Sequence, residues 1–184
     1  KSPALKPDDL KGVRYRVSAS LSSRYFAEAI GADLIPMGYG EIVQSLQTDL
    51  ITAGDNSIAL YVKTGKEQEA PHYTLTQHSL GMSVMVARKE WWNSLTSEQQ
   101  KIIESSWPDP KQARQELREE EAENLGNAET MGIKVYRLSK DERNLWKDAT
   151  VGQAKRLAKE IGGRSEEILA LVMEGKKDFQ NLNR

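Results

Sequence analysis

The hydrophobic positions in the first third of the chain alternate between a strand period and a helix period. Residues 13–17 place apolar side chains between Arg and Tyr, which is a strand pattern. Residues 20–30 carry their apolar side chains on one side of a helix, and Gly31 is a natural stop after it. Two further strands, separated by a second helix, follow, and this order predicts a mostly parallel sheet with helical crossovers. The predicted elements are strands at 13–17, 34–37 and 50–53 and helices at 20–30 and 40–46.

From residue 58 onward the pattern changes to fewer strands and longer helices. Residues 96–99 and 139–142 each have the form of a capping box, with a hydroxyl followed three positions later by Gln or Glu, and this predicts two helix starts. Pro108 and Pro110 predict an interruption between consecutive helices. The predicted elements are strands at 73–76, 82–86 and 133–138, a polar stretch at 63–69, a helical turn at 90–95, and helices from 96, at 111–130, at 139–161 and from 165 to Gly175.

These elements predict an α/β fold in which a mostly parallel sheet is flanked by helices and followed by long C-terminal helices. The length of 184 residues suits one domain of ordinary size. Hydrophobic residues make up 38% and charged residues 29%, which is the composition of a soluble globular chain. No apolar run is long enough to span a bilayer, so stable membrane insertion is not expected.

Charge and cysteine content narrow the function classes. The net charge of −1 argues against nucleic-acid binding, which needs concentrated positive charge. The absence of cysteine removes disulfides, thiolate catalysis and Cys-ligated zinc, and it fits an oxidising compartment. His72 and His78 lack a third ligand at metal spacing, so no metal site is expected. We also expect no cofactor, because no phosphate-cradling loop is present.

Candidate binding chemistry lies at the ends of the predicted strands. Arg16 is at the end of the first strand and Asn56 follows the third. A guanidinium stays charged and presents a planar fork that matches a carboxylate, and an amide can bind a carboxylate or a hydroxyl. The pair therefore suggests capture of a small organic anion. Arg14, two residues away on the same strand face, is a rival by spacing, and either arginine could instead be a surface residue paired with an acid.

Two further residues are weaker ligand-binding candidates. Tyr39 precedes the second helix and could stack against a ligand or donate its hydroxyl, or it could be a packed core aromatic. Ser18 follows the first strand and could contact a ligand, or it could be a loop residue or a helix cap. Asn56 itself could be a turn former. The adjacent Trp91 and Trp92 favour packing over a sugar platform.

Four pieces of sequence occur together in one order between residues 9 and 56. They are Asp-Leu-Lys-Gly-x-x-x-Arg at 9–16, Gly-Ala-x-x-x-Pro-Met at 31–37, Glu-x-x-x-x-Leu-Gln-Thr at 41–48, and Asn56. In order and spacing this block resembles the solute-binding proteins of tripartite ATP-independent periplasmic (TRAP) transporters. The chain departs from the family pattern at residues 51–57, where Ala53-Gly54-Asp55-Asn56-Ser57 replaces Asp-Gly-Glu-Asn-Pro.

The resemblance implies a fold of two α/β lobes hinged around a cleft, of which this chain matches the later part. Residues 1–184 are therefore expected to be a single α/β unit, one lobe of a periplasmic-binding-protein-like fold plus segments that cross back, within a longer protein. The resemblance also selects Arg16 over Arg14 as the carboxylate anchor, with Asn56, Tyr39 and Ser18 as further ligand contacts. It implies a periplasmic receptor, made with a signal peptide, that passes an organic acid to TRAP permease subunits.

Two other function classes compete with this interpretation. An enzyme would need a nucleophile with a base, a metal set or a phosphate-binding loop, and the sequence contains none of these motifs. A ligand sensor or partner-recognition domain could be built on the same lobe.

Overall fold

Three parallel strands form the first sheet in the order β2–β1–β3. The computed structural model describes residues 2–81 and 84–182 of the chain. The central strand β1 (Arg14–Val17) pairs with β2 (Asp33–Pro36) on one side and β3 (Ala53–Gly54) on the other. Helices α1 (Leu21–Ala29) and α2 (Ile42–Gln47) form the two crossovers. The predicted alternation of strands and helices is therefore confirmed, and all three strands end at the same edge of the sheet.

A second, two-stranded parallel sheet joins β4 (His72–Thr74) to β5 (Lys134–Tyr136). Two short helices, α3 (Ile58–Val62) and α4 (Lys66–Glu69), connect the first sheet to β4. The remaining helices are α5 (Lys89–Ser94), α6 (Ser97–Ser105), α7 (Pro110–Gly126), α8 (Lys140–Ala149), α9 (Gln153–Ile161) and α10 (Ser165–Leu182).

Helix starts follow the capping chemistry of the sequence. The Ser20 side chain accepts from the backbone N–H of Ser23 and caps α1. Thr96 and Ser139 complete the two predicted capping boxes at the starts of α6 and α8. Such a cap satisfies backbone donors that have no partner within the helix, so these boundaries agree with the prediction.

Buried side chains of the described residues form three clusters. The first lies under the first sheet and contains Leu10, Tyr15, Val17, Ala27, Ile30, Ala32 and Trp146. The second joins α3 to β5 and contains Ile58, Tyr61, Ala128 and Ile133, and the third, around α2, contains Ile42, Leu46 and Ile51. The first and second clusters join residues far apart in sequence.

Several predicted elements differ from the structure. The helix predicted at 139–161 is two helices, because Gly152 takes a φ of +87° between α8 and α9, a conformation that ends a helix. The last helix does not stop at Gly175, since one glycine costs a helix only about 1 kcal/mol relative to alanine. The polar stretch at 63–69 contains α4, and α3 before it was not predicted at all.

The predicted strands at 50–53 and 82–86 also need correction. In the third strand only Ala53 and Gly54 pair with β1, although Thr52 already donates its N–H to the Arg14 carbonyl over 2.9 Å. Met82 and Ser83 lie outside the described residues. Residues 84–86 form no strand, because no described segment pairs with them, and they are 74–84% exposed.

Candidate functional site

Arg16 lies at the carboxyl edge of the first sheet, one residue before β1 ends. Its register partners are Ile35 on β2 and Gly54 on β3. A Cβ at Gly54 would approach the Arg16 Cβ to 3.3 Å, so glycine leaves room for the arginine beside β3. The neighbouring strand residues Tyr15 and Val17 point the other way, into the first core cluster. Alternation along the strand therefore places the guanidinium on the face opposite that core.

The Arg16 guanidinium is only partly satisfied by protein groups. Its Nη2 donates to the Met37 carbonyl over 3.3 Å, and its Nε is buried without a hydrogen-bond partner. Among residues 2–81 and 84–182, no carboxylate lies within salt-bridge distance of it. The alternative of a surface arginine paired with an acid therefore does not describe Arg16. Arg14 differs, since it is exposed and begins the strand at the opposite edge.

Asn56 follows β3 and is held by two neighbouring groups. Its side-chain Oδ1 accepts from the backbone N–H of the next residue, Ser57, over 3.0 Å. The hydroxyl of Tyr73, on β4, donates to the Asn56 carbonyl over 2.9 Å. Burial and the nearby carboxylates of Glu121 and Asp55 raise the pKa of Tyr73 to about 12, so this hydroxyl keeps its proton at neutral pH.

Tyr39 opens the turn after β2 and is 41% exposed, so it is not the packed core aromatic that the sequence left as an alternative. Its hydroxyl donates to the Leu60 carbonyl over 3.0 Å, and the Lys66 ammonium lies 4.1 Å from its ring centroid. Arg16 lies near the end of β1, and Tyr39 and Asn56 follow the ends of the adjacent strands β2 and β3. The structure brings these three predicted residues to one edge of the sheet.

Ser18 directly follows β1, but its contacts are with the start of α1. Its hydroxyl is 2.9 Å from the hydroxyl of Ser20, and its backbone N–H donates to the Ser23 side chain over 3.2 Å. It lines a groove beside α1 with Arg24 and Pro36, and the groove lining includes none of the other three predicted residues. These contacts fit the alternative of a residue in the turn that starts a helix.

Sequence reasoning missed the polar contacts of Asp55, the residue before Asn56. Asp55 accepts from the Tyr15 hydroxyl over 3.4 Å, and His78 Nε2 lies 3.9 Å from its other oxygen. The His78 ring stacks on Phe26 at a centroid distance of 3.9 Å, and its Nδ1 is 2.7 Å from the Thr76 hydroxyl. Burial, reinforced by the Asp55 charge, raises the pKa of Tyr15 well above its ordinary value. The position of Asp55 next to Asn56 was the available signal.

The His78 side chain, which is 20% exposed and stacked on Phe26, predicts a loss of stability in mild acid. Its burial outweighs the opposing effect of Asp55 and lowers the pKa of His78 in the folded chain. In the unfolded chain the imidazole titrates near about 6.5, so below that pH the unfolded state binds a proton that the folded state rejects. His78 stabilises the fold above that pH, and this contribution is lost as the pH falls towards the folded pKa.

We expect the free energy of unfolding, measured by urea denaturation at about pH 7.5 and about pH 5.5, to fall less in His78→Gln than in the wild type. An equal fall in both proteins would contradict this role.

The described residues hold no cluster of three His, Asp or Glu side chains arranged for a metal ion. None of the helices in residues 2–81 and 84–182 combines the length and the apolar character needed to cross a membrane.

Arg16 has no acidic partner among the described residues and lies at the carboxyl edge of a parallel sheet. This arrangement is typical of α/β proteins that bind small anions. Comparison with known families is consistent with that class. The family model DctP, bacterial extracellular solute-binding protein, family 7, matches residues 1–161. The chain therefore belongs to this family, and the resemblance indicated by residues 9–56 is confirmed.

Three relatives show how far the similarity extends. The C4-dicarboxylate-binding periplasmic protein DctP of Rhodobacter capsulatus is 23% identical over 167 residues, which are 89% of this chain and 50% of that protein. The ectoine-binding protein of the TeaABC TRAP transporter of Halomonas elongata superposes with a TM-score of 0.82 and 20% identity, over 92% of this chain and 56% of that one. A TRAP solute-binding protein of Bradyrhizobium sp. BTAi1, in complex with α/β-D-galacturonate, has a TM-score of 0.81 and 26% identity, over 95% and 57%.

The chain spans about half the length of the relatives that it matches. The predicted fold, one α/β lobe of a two-lobed binding protein, is confirmed by these structures. Members of the family are solute-binding proteins rather than enzymes, and they work with membrane permease subunits.

Proposed function

We propose that this chain is the ligand-anchoring part of a TRAP solute-binding protein that captures a small organic acid in the periplasm. The observation that carries the proposal is the Arg16 guanidinium, with a buried, unpartnered Nε and no acidic partner in the described chain. A bound carboxylate would supply the acidic partner that this guanidinium lacks, through a charge-assisted hydrogen bond. The ligands named for the Rhodobacter and Bradyrhizobium relatives, a C4-dicarboxylate and galacturonate, both carry such a group.

Arg16 alone cannot account for tight binding. A charge-assisted hydrogen bond contributes roughly 1.5–3 kcal/mol, whereas a micromolar dissociation constant corresponds to about 8 kcal/mol. The remainder requires burial of the ligand against a second wall. We propose that residues 1–184 form a single α/β unit and that the rest of a longer, two-lobed protein supplies this wall.

Exposed apolar side chains support a second wall. Leu80, Val84 and Val86 come after β4 in the chain and are 83–85% exposed. Large apolar residues that face solvent near one another mark interaction surfaces. Packing of this segment against the other lobe would bury these side chains and would join the two walls of the cleft.

Calorimetry with the whole protein tests the function. Galacturonate, succinate and ectoine serve as probes, and galactose, which has the galacturonate ring without its carboxylate, serves as the matched control. We expect a dissociation constant in the micromolar range, about 8 kcal/mol of binding free energy, for at least one acid and no measurable binding of galactose. Binding of galactose as tight as that of galacturonate, or binding of none of the acids, would contradict the proposal.

A further inference from the structure

The backbone N–H of Ser57 is bonded to the side chain of the residue before it. It donates to Asn56 Oδ1 over 3.0 Å, and it makes no backbone hydrogen bond within residues 2–81 and 84–182. An asparagine amide has its oxygen and its NH2 group on opposite sides of Cγ, so it can present either an acceptor or two donors. A flipped amide would set its own N–H groups against the Ser57 N–H. The Ser57 N–H therefore fixes the orientation of the amide.

The position of this N–H is itself fixed by groups on both sides of it. On one side, the Tyr73 hydroxyl donates to the Asn56 carbonyl over 2.9 Å. On the other side, Ser57 caps helix α3, where its side chain accepts from the Leu60 N–H over 3.4 Å. The next residue, Ile58, is 1% exposed and belongs to the second core cluster. The amide of Asn56 is therefore oriented by the fold before a ligand arrives.

The side of the Asn56 amide that is turned away from Ser57 is the NH2 group, which carries two N–H donors. Asn56 follows β3, whose Gly54 pairs with Arg16 on the central strand. A ligand whose carboxylate is bound by the guanidinium would therefore meet donors at this position. An acceptor oxygen of the ligand can pair with them, whereas an N–H of the ligand cannot, and both donors would then lack a partner.

Resting on the proposed function, we propose that Ser57 is a positioning residue whose backbone N–H fixes the Asn56 amide as a donor towards the ligand. The site then prefers organic acids with a second acceptor oxygen over acids whose other polar groups are N–H donors. Galacturonate and succinate belong to the first class, and ectoine, a carboxylate with two ring N–H groups, belongs to the second. Proline, which the family pattern carries at position 57, has no backbone N–H and would leave both orientations of the amide open.

Two substitutions of Ser57 separate its N–H from its side chain. Ser57→Pro removes the N–H, and the φ of −70° at this residue is one that a proline ring adopts. Ser57→Ala is the matched control, because it removes the hydroxyl that caps α3, as proline does, but keeps the N–H. Both variants therefore lose the cap, and only Ser57→Pro releases the Asn56 amide.

Calorimetry of the whole protein tests the selection. We expect the wild type to bind galacturonate or succinate about tenfold or more tightly than ectoine, the range of an amide hydrogen bond and the penalty for leaving it unmade. Ser57→Pro should lower this ratio about three- to tenfold, and Ser57→Ala should keep it. In the Asn56→Ala background, Ser57→Pro should change the ratio no further, because Ser57 acts through that amide. An equal change in both backgrounds would show a structural role only and would overturn the proposal.

The hydrogen bond itself is tested without a ligand, by hydrogen exchange of the backbone N–H groups followed by NMR. After correction for the intrinsic rates, the Ser57 N–H should exchange about threefold or more faster in Asn56→Ala than in the wild type. The Leu60 N–H, which donates to the Ser57 side chain, should keep its rate in that variant and exchange faster in Ser57→Ala. An unchanged Ser57 rate in Asn56→Ala would overturn the proposal.

The possible results separate this proposal from the proposed function. If the wild type binds none of the three acids, the proposed function fails and the selection fails with it. If ectoine binds as tightly as the better of the other two, or if the ratio is the same in Ser57→Pro and Ser57→Ala, the proposed function stands and this proposal alone is overturned. If Ser57→Pro shows no cooperative thermal transition, Asn56→Ala decides: retention of the wild-type ratio by that variant would overturn the proposal.

Discussion

Replacement of Arg16 by alanine is expected to lower the affinity of the whole protein for its organic acid by a factor on the order of 100 or more. The physical reason is that removal of one partner from a close charge pair costs about 2–5 kcal/mol, and about 1.4 kcal/mol is a factor of ten. No acid among the described residues lies within salt-bridge distance of Arg16, so its charge is available to the carboxylate. Isothermal titration calorimetry measures the effect directly.

Two variants make this result specific. Arg14→Ala removes the same chemistry from the same strand, but that residue is exposed and lies at the opposite edge of the sheet, so wild-type affinity is expected. Arg16→Lys keeps the charge but loses the planar fork, so it should bind more weakly than the wild type and more tightly than Arg16→Ala. Wild-type affinity in Arg16→Ala, or an equal loss in Arg14→Ala, would remove Arg16 from its proposed role.

Replacement of Trp146 by alanine is expected to have the largest effect on stability. The Trp146 ring is 3% exposed, lies parallel to the Phe26 ring at 6.2 Å, and donates its Nε1–H to the Leu5 carbonyl over 3.0 Å. It therefore joins α8 to the first sheet and to the N-terminal segment. Truncation of a buried tryptophan costs about 3–5 kcal/mol through lost burial and a residual cavity. Urea denaturation followed by circular dichroism measures the change in the free energy of unfolding.

Leu145→Ala is the matched control for Trp146→Ala. Leu145 is the preceding residue on the same helix but is 49% exposed, so its truncation should cost under about 1 kcal/mol. Since Phe26 also stacks on His78, Trp146→Ala should in addition loosen the support behind Asp55. Equal losses in the two variants would show that Trp146 is not a main support of this core.

The part of the fold that depends on local pattern was predictable from the sequence. The alternation of strands and helices through residues 13–54 follows from periodicity, and the helix starts at Ser97 and Lys140 follow from capping boxes. The placement of Arg16 at the carboxyl edge also follows, because parallel strands end together. These features need no knowledge of distant contacts.

The missed features depend on contacts between distant parts of the chain. Helix α3 forms where Ile58 and Tyr61 pack against Ala128 and Ile133, a contact that no local pattern shows. Lys66 was assigned to a polar stretch, since a lysine is rarely buried and part of what surrounds its ammonium, the Tyr39 ring, is distant in sequence.

The central claim is that Arg16 binds the ligand carboxylate, and a crystal structure of the whole protein with galacturonate tests it most directly. We expect the carboxylate oxygens to lie about 2.7–2.9 Å from two nitrogen atoms of the Arg16 guanidinium, the geometry of a bidentate ion pair. A carboxylate bound elsewhere, with no guanidinium nitrogen of Arg16 within hydrogen-bond distance of it, would contradict the claim.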